Sequence, residues 1–177
     1  MTREYLFAGF GGQGLLFSGK VLAYKALIEE KNVSWLPSYG PEMRGGTANC
    51  SVIISDEPVA APLIAHPDIL VAMNLPSLDK YESTVKPGGI ILVDSSLIAR
   101  KVERTDVTVY YLPATKMAEE MGAPTLANMI LTGKLLEVTE DYCEETVFKA
   151  LEKCISARHK DLQELNLKAM ETGRKFN

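Results

Sequence analysis

Phe7-Ala8-Gly9-Phe10-Gly11-Gly12-Gln13-Gly14 is the stretch on which the reading of this chain turns. An apolar run, Tyr5-Leu6-Phe7-Ala8, leads into it, and a segment with helical spacing leads out of it. A strand, a glycine loop and a helix in that order present backbone N–H groups to an anion in a parallel α/β sheet. Gly9, Gly11 and Gly14 satisfy G-x-G-x-x-G in that context. A dinucleotide site would add an acidic residue about 20 residues further on, closing the second strand. Here that strand reads Val33-Ser34-Trp35-Leu36 and ends at Pro37, with no carboxylate, so NAD is disfavoured. Lys20 lies inside the helix without the spacing of a phosphate-binding P-loop. The same glycines also serve a purely structural end, a tight turn and close packing of helix on strand.

Outward from this loop the chain alternates. Residues 4–8 read as a buried strand, 14–30 as a helix and 33–36 as a second strand. Thr47 to Ser55 is a third strand, whereas Val59 to Ala65 fits either a short strand or an irregular connection. Ile69 to Met73 and Ile90 to Asp94 are continuous apolar runs, as strands covered on both faces must be. Between them Pro76 suits the first turn of a short helix ending near Ser83. Val107 to Leu112 supplies another strand, and from there the chain turns helical. Thr115 to Met121 stops at Gly122, and Leu126 to Leu136 is strongly apolar. Thr139 is expected to cap the next helix, with Glu140, Asp141, Glu144 and Glu145 near its start and Val147, Ala150, Leu151, Cys154 and Ile155 on one face. A last helix carries Leu162, Leu165, Leu167 and Met170 and ends in a frayed basic tail at Arg174-Lys175. The expected fold is α/β and three-layered: a mostly parallel or mixed Rossmann-like sheet, helices on both faces, and a helical C-terminal region, all in one domain over residues 1–177.

Bulk properties narrow the function. The 177 residues are 46% hydrophobic and 24% charged, with a net charge of -4, which gives nucleic acid no basic face to meet. No apolar run approaches the roughly 20 residues that cross a bilayer. The N-terminus has no signal-peptide pattern, and a cytoplasmic location with no membrane partner is expected. Cys50, Cys143 and Cys154 are few and far apart, and His66 and His159 lack a partner pattern. Neither set reads as a metal site or a catalytic triad.

A second loop redirects the argument: Pro37-Ser38-Tyr39-Gly40-Pro41-Glu42-Met43-Arg44-Gly45-Gly46. Gly40, Gly45 and Gly46 let backbone approach a ligand or another chain closely. The Arg44 guanidinium suits phosphate or carboxylate, or a local ion pair with Glu42. Asn74 and Asp94-Ser95-Ser96 also follow strands, and the usual ligand crevice lies at such strand ends.

The two glycine motifs together resemble those of the gamma subunit of 2-oxoacid:ferredoxin oxidoreductases. Thr47-Ala48-Asn49, Met73 to Tyr81 and the turn Pro87-Gly88-Gly89 extend the resemblance over essentially the whole chain. The form Ser-Tyr-Gly-Pro-Glu-Met-Arg-Gly-Gly is more similar to the 2-oxoglutarate and branched 2-oxoacid types than to the pyruvate type. The resemblance implies a complex that decarboxylates a 2-oxoacid on thiamine diphosphate, passes electrons through iron–sulfur clusters to ferredoxin, and releases acyl-coenzyme A and CO2. The chain has no G-D-G…N-N pattern for magnesium and thiamine diphosphate and no cysteine array for clusters. Those groups are therefore expected in partner alpha, beta and, where separate, delta subunits. By this resemblance the chain helps shape a coenzyme A site shared at a subunit interface and holds the catalytic subunits together. Its expected contacts are Gly9, Gly11, Gly12, Gln13 and Gly14 in the first loop, Ser38, Tyr39, Gly40, Glu42, Arg44, Gly45 and Gly46 in the second, and Asn74. Backbone N–H groups of the first loop face an anion or a partner, Arg44 contacts a phosphate or carboxylate, and no residue is assigned a catalytic or metal-ligating role. A pure assembly subunit and a free-standing nucleotide-binding enzyme are the alternatives.

Overall fold

The computed structural model describes residues 1–38 and 47–177. β1 (Thr2–Phe10) lies within a six-stranded sheet whose other members are β2 (Asn32–Ser38), β3 (Thr47–Ser55), β4 (Ile69–Ala72), β5 (Ile90–Asp94) and β6 (Thr108–Leu112). Their order is β2-β3-β1-β4-β5-β6. β1, β4, β5 and β6 are parallel neighbours, while β3 runs antiparallel to both β1 and β2. The sheet is therefore mixed, as the alternating pattern allowed.

Six α-helices lie among the described residues: α1 (Leu15–Ile28), α2 (Leu75–Tyr81), α3 (Ala114–Glu120), α4 (Ala127–Val138), α5 (Glu144–Cys154) and α6 (Lys160–Lys175). They divide unevenly. Tyr5, Phe7, Cys50, Val52, Val71 and Leu92 point to the side built by α1, α3, α4, α5 and α6. Leu6, Ala8, Leu70, Ala72, Ile91 and Val93 point to the other side, where α2, Val85 and Ile98 cover them. This period of two splits each strand between two cores. β4 is buried at every position, which is why its sequence does not alternate.

Several expectations are corrected. β2 continues through Pro37, which stands opposite Cys50 on the edge strand. Proline lacks a donor, and an edge strand needs none on its open side. Residues 59–65 form no regular element. Thr139 does not begin a helix. It ends α4, its hydroxyl donating to the Leu135 carbonyl at 2.8 Å, and Cys143 precedes α5 instead. Glu140 turns the chain there in a left-handed conformation (φ 56°), and the Asp141 carboxylate lies 3.0 Å from the buried ammonium of Lys25. Only Glu144 and Glu145 occupy the first turn of α5.

The tail is helical to Lys175 rather than frayed. Lys134 Nζ donates to the Phe176 carbonyl at 2.7 Å, and the Arg174 guanidinium lies 4.5 Å from the Tyr142 ring centre. The buried stripe of α6 is Gln163, Asn166, Ala169, Met170 and Gly173, whereas Leu162 is exposed. Small groups replace leucines because α4 and α6 pack backbone to backbone: a Cβ at Gly133 would overlap the Met170 carbonyl, and one at Gly173 the Ile130 carbonyl.

Candidate functional site

β1 feeds α1 on one side of the sheet, and its neighbour β4 feeds α2 on the other. This reversal is a switch point at the carboxyl ends of β1 and β4, the place where α/β proteins usually bind ligands. Here the Gln13 side chain reaches across the gap. Its Oε1 accepts from the Phe10 N–H at 2.6 Å, and its Nε2 donates to the Met73 carbonyl at 2.9 Å. Gly9 has no space for a Cβ, which would collide with that same Oε1. The Gln13 N–H closes a turn on the Phe10 carbonyl at 3.3 Å. Gly12 and Gly14 adopt φ of 89° and 76°, the left-handed region that favours glycine. Behind the loop, the Gly14 carbonyl accepts from the Ser18 N–H and from Asn128 Nδ2, both at 3.0 Å.

The outer side of the loop is different in character. Phe10, Gly11 and Gly12 are exposed, and with Leu15, Leu16 and Phe17 they border an open hollow of about 290 Å³, whose lining among the described residues is uncharged. The backbone register places the second loop's flanks on this edge. Thr47 pairs with Phe10 and Ser38 with Asn49. β3 separates β1 from β2 and starts, at Thr47, directly beside the end of β1. Tyr39, Gly40, Glu42, Arg44, Gly45 and Gly46 lie outside the described residues.

The other strand ends have local tasks. Asn74 is buried, and its Oδ1 caps α2 by accepting from the Ser77 N–H at 2.8 Å. Its Nδ2 has no partner among the described residues. Asp94 is wholly buried, with Oδ2 accepting from the Thr115 hydroxyl at 2.6 Å and Oδ1 from the Ser96 N–H at 3.1 Å. It ties β5 to the start of α3.

Cluster chemistry does not fit this chain's thiols. Burial pushes the Cys50 thiol up to about 12, although a hydrogen bond with Trp35 partly opposes it. Burial likewise pushes Cys154 up to about 11. Cys143 precedes α5 and Cys154 is the last of its 11 residues, so about 16 Å of helix separates them, too far to bind one cluster together. Among the described residues no group of three His, Cys, Asp or Glu side chains could hold a metal ion. No helix among them is long and apolar enough to cross a membrane.

The spacing singles out Gln13 for its backbone, whereas its side chain bridges the loop to β4. Asn128 carries no motif, although an amide inside an apolar helix is itself a signal.

With a glycine loop at the switch point of a mixed sheet, the family model for pyruvate ferredoxin/flavodoxin oxidoreductase matches residues 4–176, and the chain belongs to that family. It is 39% identical over 176 residues to the 2-oxoglutarate synthase subunit KorC of Methanocaldococcus jannaschii, covering 98% of this chain and 92% of that protein. It is also 39% identical over 166 residues to the ketoisovalerate oxidoreductase subunit VorA of Methanothermobacter thermautotrophicus, where it spans 34% of a longer chain. A solved structure of a keto/oxoacid ferredoxin oxidoreductase gamma subunit from Geobacter sulfurreducens superposes with a TM-score of 0.83 at 31% identity, covering 98% of this chain and 96% of that one.

Proposed function

We propose that the chain, as a gamma-type subunit of a multisubunit 2-oxoacid:ferredoxin oxidoreductase, helps form the coenzyme A site and holds the catalytic subunits together. 2-Oxoglutarate is the oxoacid favoured by the similarity to KorC subunits. Thiamine diphosphate, magnesium and iron–sulfur clusters belong in this reading to the alpha, beta and delta partners, with ferredoxin docking on the assembled complex. When bound there, these groups supply the decarboxylation and electron transfer. This chain's residues orient and enclose.

The observation that carries the reading is the edge around Gly11 and Gly12. Its backbone is held from within by Gln13 and exposed outward, and Thr47, three residues after Arg44 in sequence, pairs with Phe10 beside it. A preformed surface of this kind suits a shared site, because little ordering remains to be done on binding. Docking without ligand contact is the second reading, and the apolar side chains of Phe10, Leu15, Leu16 and Phe17 around the hollow favour it. A free-standing dinucleotide enzyme is the weakest, since Gln13 fills the crevice that a pyrophosphate would need.

Arg44→Ala in the reconstituted complex separates these. Loss of a charge-assisted bond to a phosphate should raise KM for coenzyme A about tenfold or more with kcat little changed. Weaker subunit association at unchanged KM would favour docking alone. If neither moves, the role given to Arg44 is wrong.

A further inference from the structure

We infer that Asn128 is a positioning residue for the glycine loop, holding it in its docking geometry from the buried side. The inference rests on the reading of this edge as a shared coenzyme A and subunit surface. Asn128 sits in the first turn of α4 and is 4% exposed. Its Nδ2 donates to the Gly14 carbonyl at 3.0 Å, 114 residues away in sequence. Gly14 is the left-handed residue from which α1 departs, and a Cβ there would lie 2.5 Å from Asn128 Nδ2. The loop and the amide are thus shaped to each other.

Stability alone does not call for this residue. The Gly14 carbonyl is already satisfied by the Ser18 N–H at 3.0 Å. Asn128 Oδ1 has no hydrogen-bond partner among the described residues, which costs free energy in a buried position. An apolar side chain of the same shape would avoid that cost. What only the amide supplies is a directional bond that holds Gly14 at one height over α4. Its own backbone is anchored in turn, with the Asn128 carbonyl accepting from the hydroxyls of Thr132 at 2.8 Å and Ser18 at 3.4 Å. Gln13 holds the front of the loop to β4, and Asn128 holds its rear to α4. The exposed Gly11-Gly12 segment is suspended between these two amides.

The test is Asn128→Leu, a near-isosteric change that removes both the donor and the unpaired acceptor, with Asn128→Ser as a second variant should leucine not fit. Both are assayed in the reconstituted complex and compared with Arg44→Ala. Amide hydrogen exchange over residues 9–17 should quicken at least fivefold while the melting temperature is held or rises. KM for coenzyme A, or the subunit dissociation constant, should rise three- to tenfold with kcat within twofold. Unchanged exchange in the loop overturns the positioning role, whatever Arg44→Ala does. Faster exchange with unchanged KM and subunit affinity overturns the link between loop geometry and docking. Failure of Arg44→Ala alone, with both Asn128 effects present, removes the role of Arg44 and leaves this inference standing.

Discussion

The two sides of the sheet are covered by different physics. On one side α1 and α4 lie on the strands, with α5 and α6 outside them, around the larger apolar core. On the other, α2, Val85 and the irregular segment after β5 close a smaller core. That segment is strapped down by charge. The Glu82 carboxylate accepts from Arg100 at 2.8 Å and from the Glu103 and Arg104 N–H groups at 2.6 and 3.3 Å, while Arg104 donates back to the Glu82 carbonyl at 3.1 Å. A side held mainly by contact area is sensitive first to volume, although α1 also carries the buried Lys25 ammonium paired with Glu29 and Asp141. A side held by one carboxylate is sensitive to its protonation. The candidate site lies where the two sides meet, so each can be disturbed separately and the loop watched.

The largest effect is expected on the apolar side. At Gly133 and Gly173 the obstacle to a Cβ is the other helix's backbone, which has no rotamer to yield. Gly133→Ala should therefore cost about 3 kcal/mol, or about 6–12 °C in Tm for a chain of this size. Calorimetry of the purified chain checks it. A loss under about 1 kcal/mol would show that α4 and α6 can slide apart, and would weaken the contrast between the two sides.

Glu82→Gln tests the charged side. Burial alone would push this carboxyl up, but the Arg100 guanidinium and the two backbone N–H groups outweigh it and hold it below its ordinary value. A carboxyl depressed in the fold stabilises above its unfolded pKa of about 4.3, and that contribution is lost as pH falls through the lower folded value. At neutral pH the variant should lose about 1–2 kcal/mol. The gap between wild type and variant should narrow steadily below about pH 4. Denaturant titrations across that range measure it, and a gap independent of pH would mean that the carboxylate's charge is not what holds the strap.

The sequence was informative where one residue type has one use. β3 and β5 fall on their expected residues because β-branched runs between turn signals admit few other readings. β1 and α1 follow from the loop motif, whereas the motif does not announce the left-handed turn at Gly12, which lies between its glycines. Polar residues were harder, because their role depends on what the fold brings near. Thr139 looks like an N-cap in sequence and is a C-terminal residue in space, since Glu140 can turn the chain left-handed and Lys25 awaits Asp141. Gln13 and Asn128 meet partners 60 and 114 residues away, contacts that no local spacing announces. Gly133 and Gly173 resemble ordinary helix interruptions until α6 is seen lying against α4.

The smallest stability effect should come from the glycine that matters most at the surface. A Cβ at Gly12 would meet nothing within 4 Å, so packing imposes no penalty on Gly12→Ala. Its φ of 89° does, because a side chain there leans on its own backbone, and the cost should be about 1 kcal/mol. Both sides of the sheet should stay as they are, with hydrogen exchange in α4, α6 and the Glu82 strap unchanged. In the complex the balance reverses. The same methyl group stands on an exposed loop where close approach by coenzyme A or a partner chain is proposed, so affinity should fall by more than stability does. Measuring Tm on the isolated chain and subunit affinity and KM on the complex separates the two. A stability loss as large as that of Gly133→Ala would make the loop part of the apolar core. A small stability loss with full affinity would mean that nothing approaches Gly12 closely, and the docking edge would have to move toward Arg44.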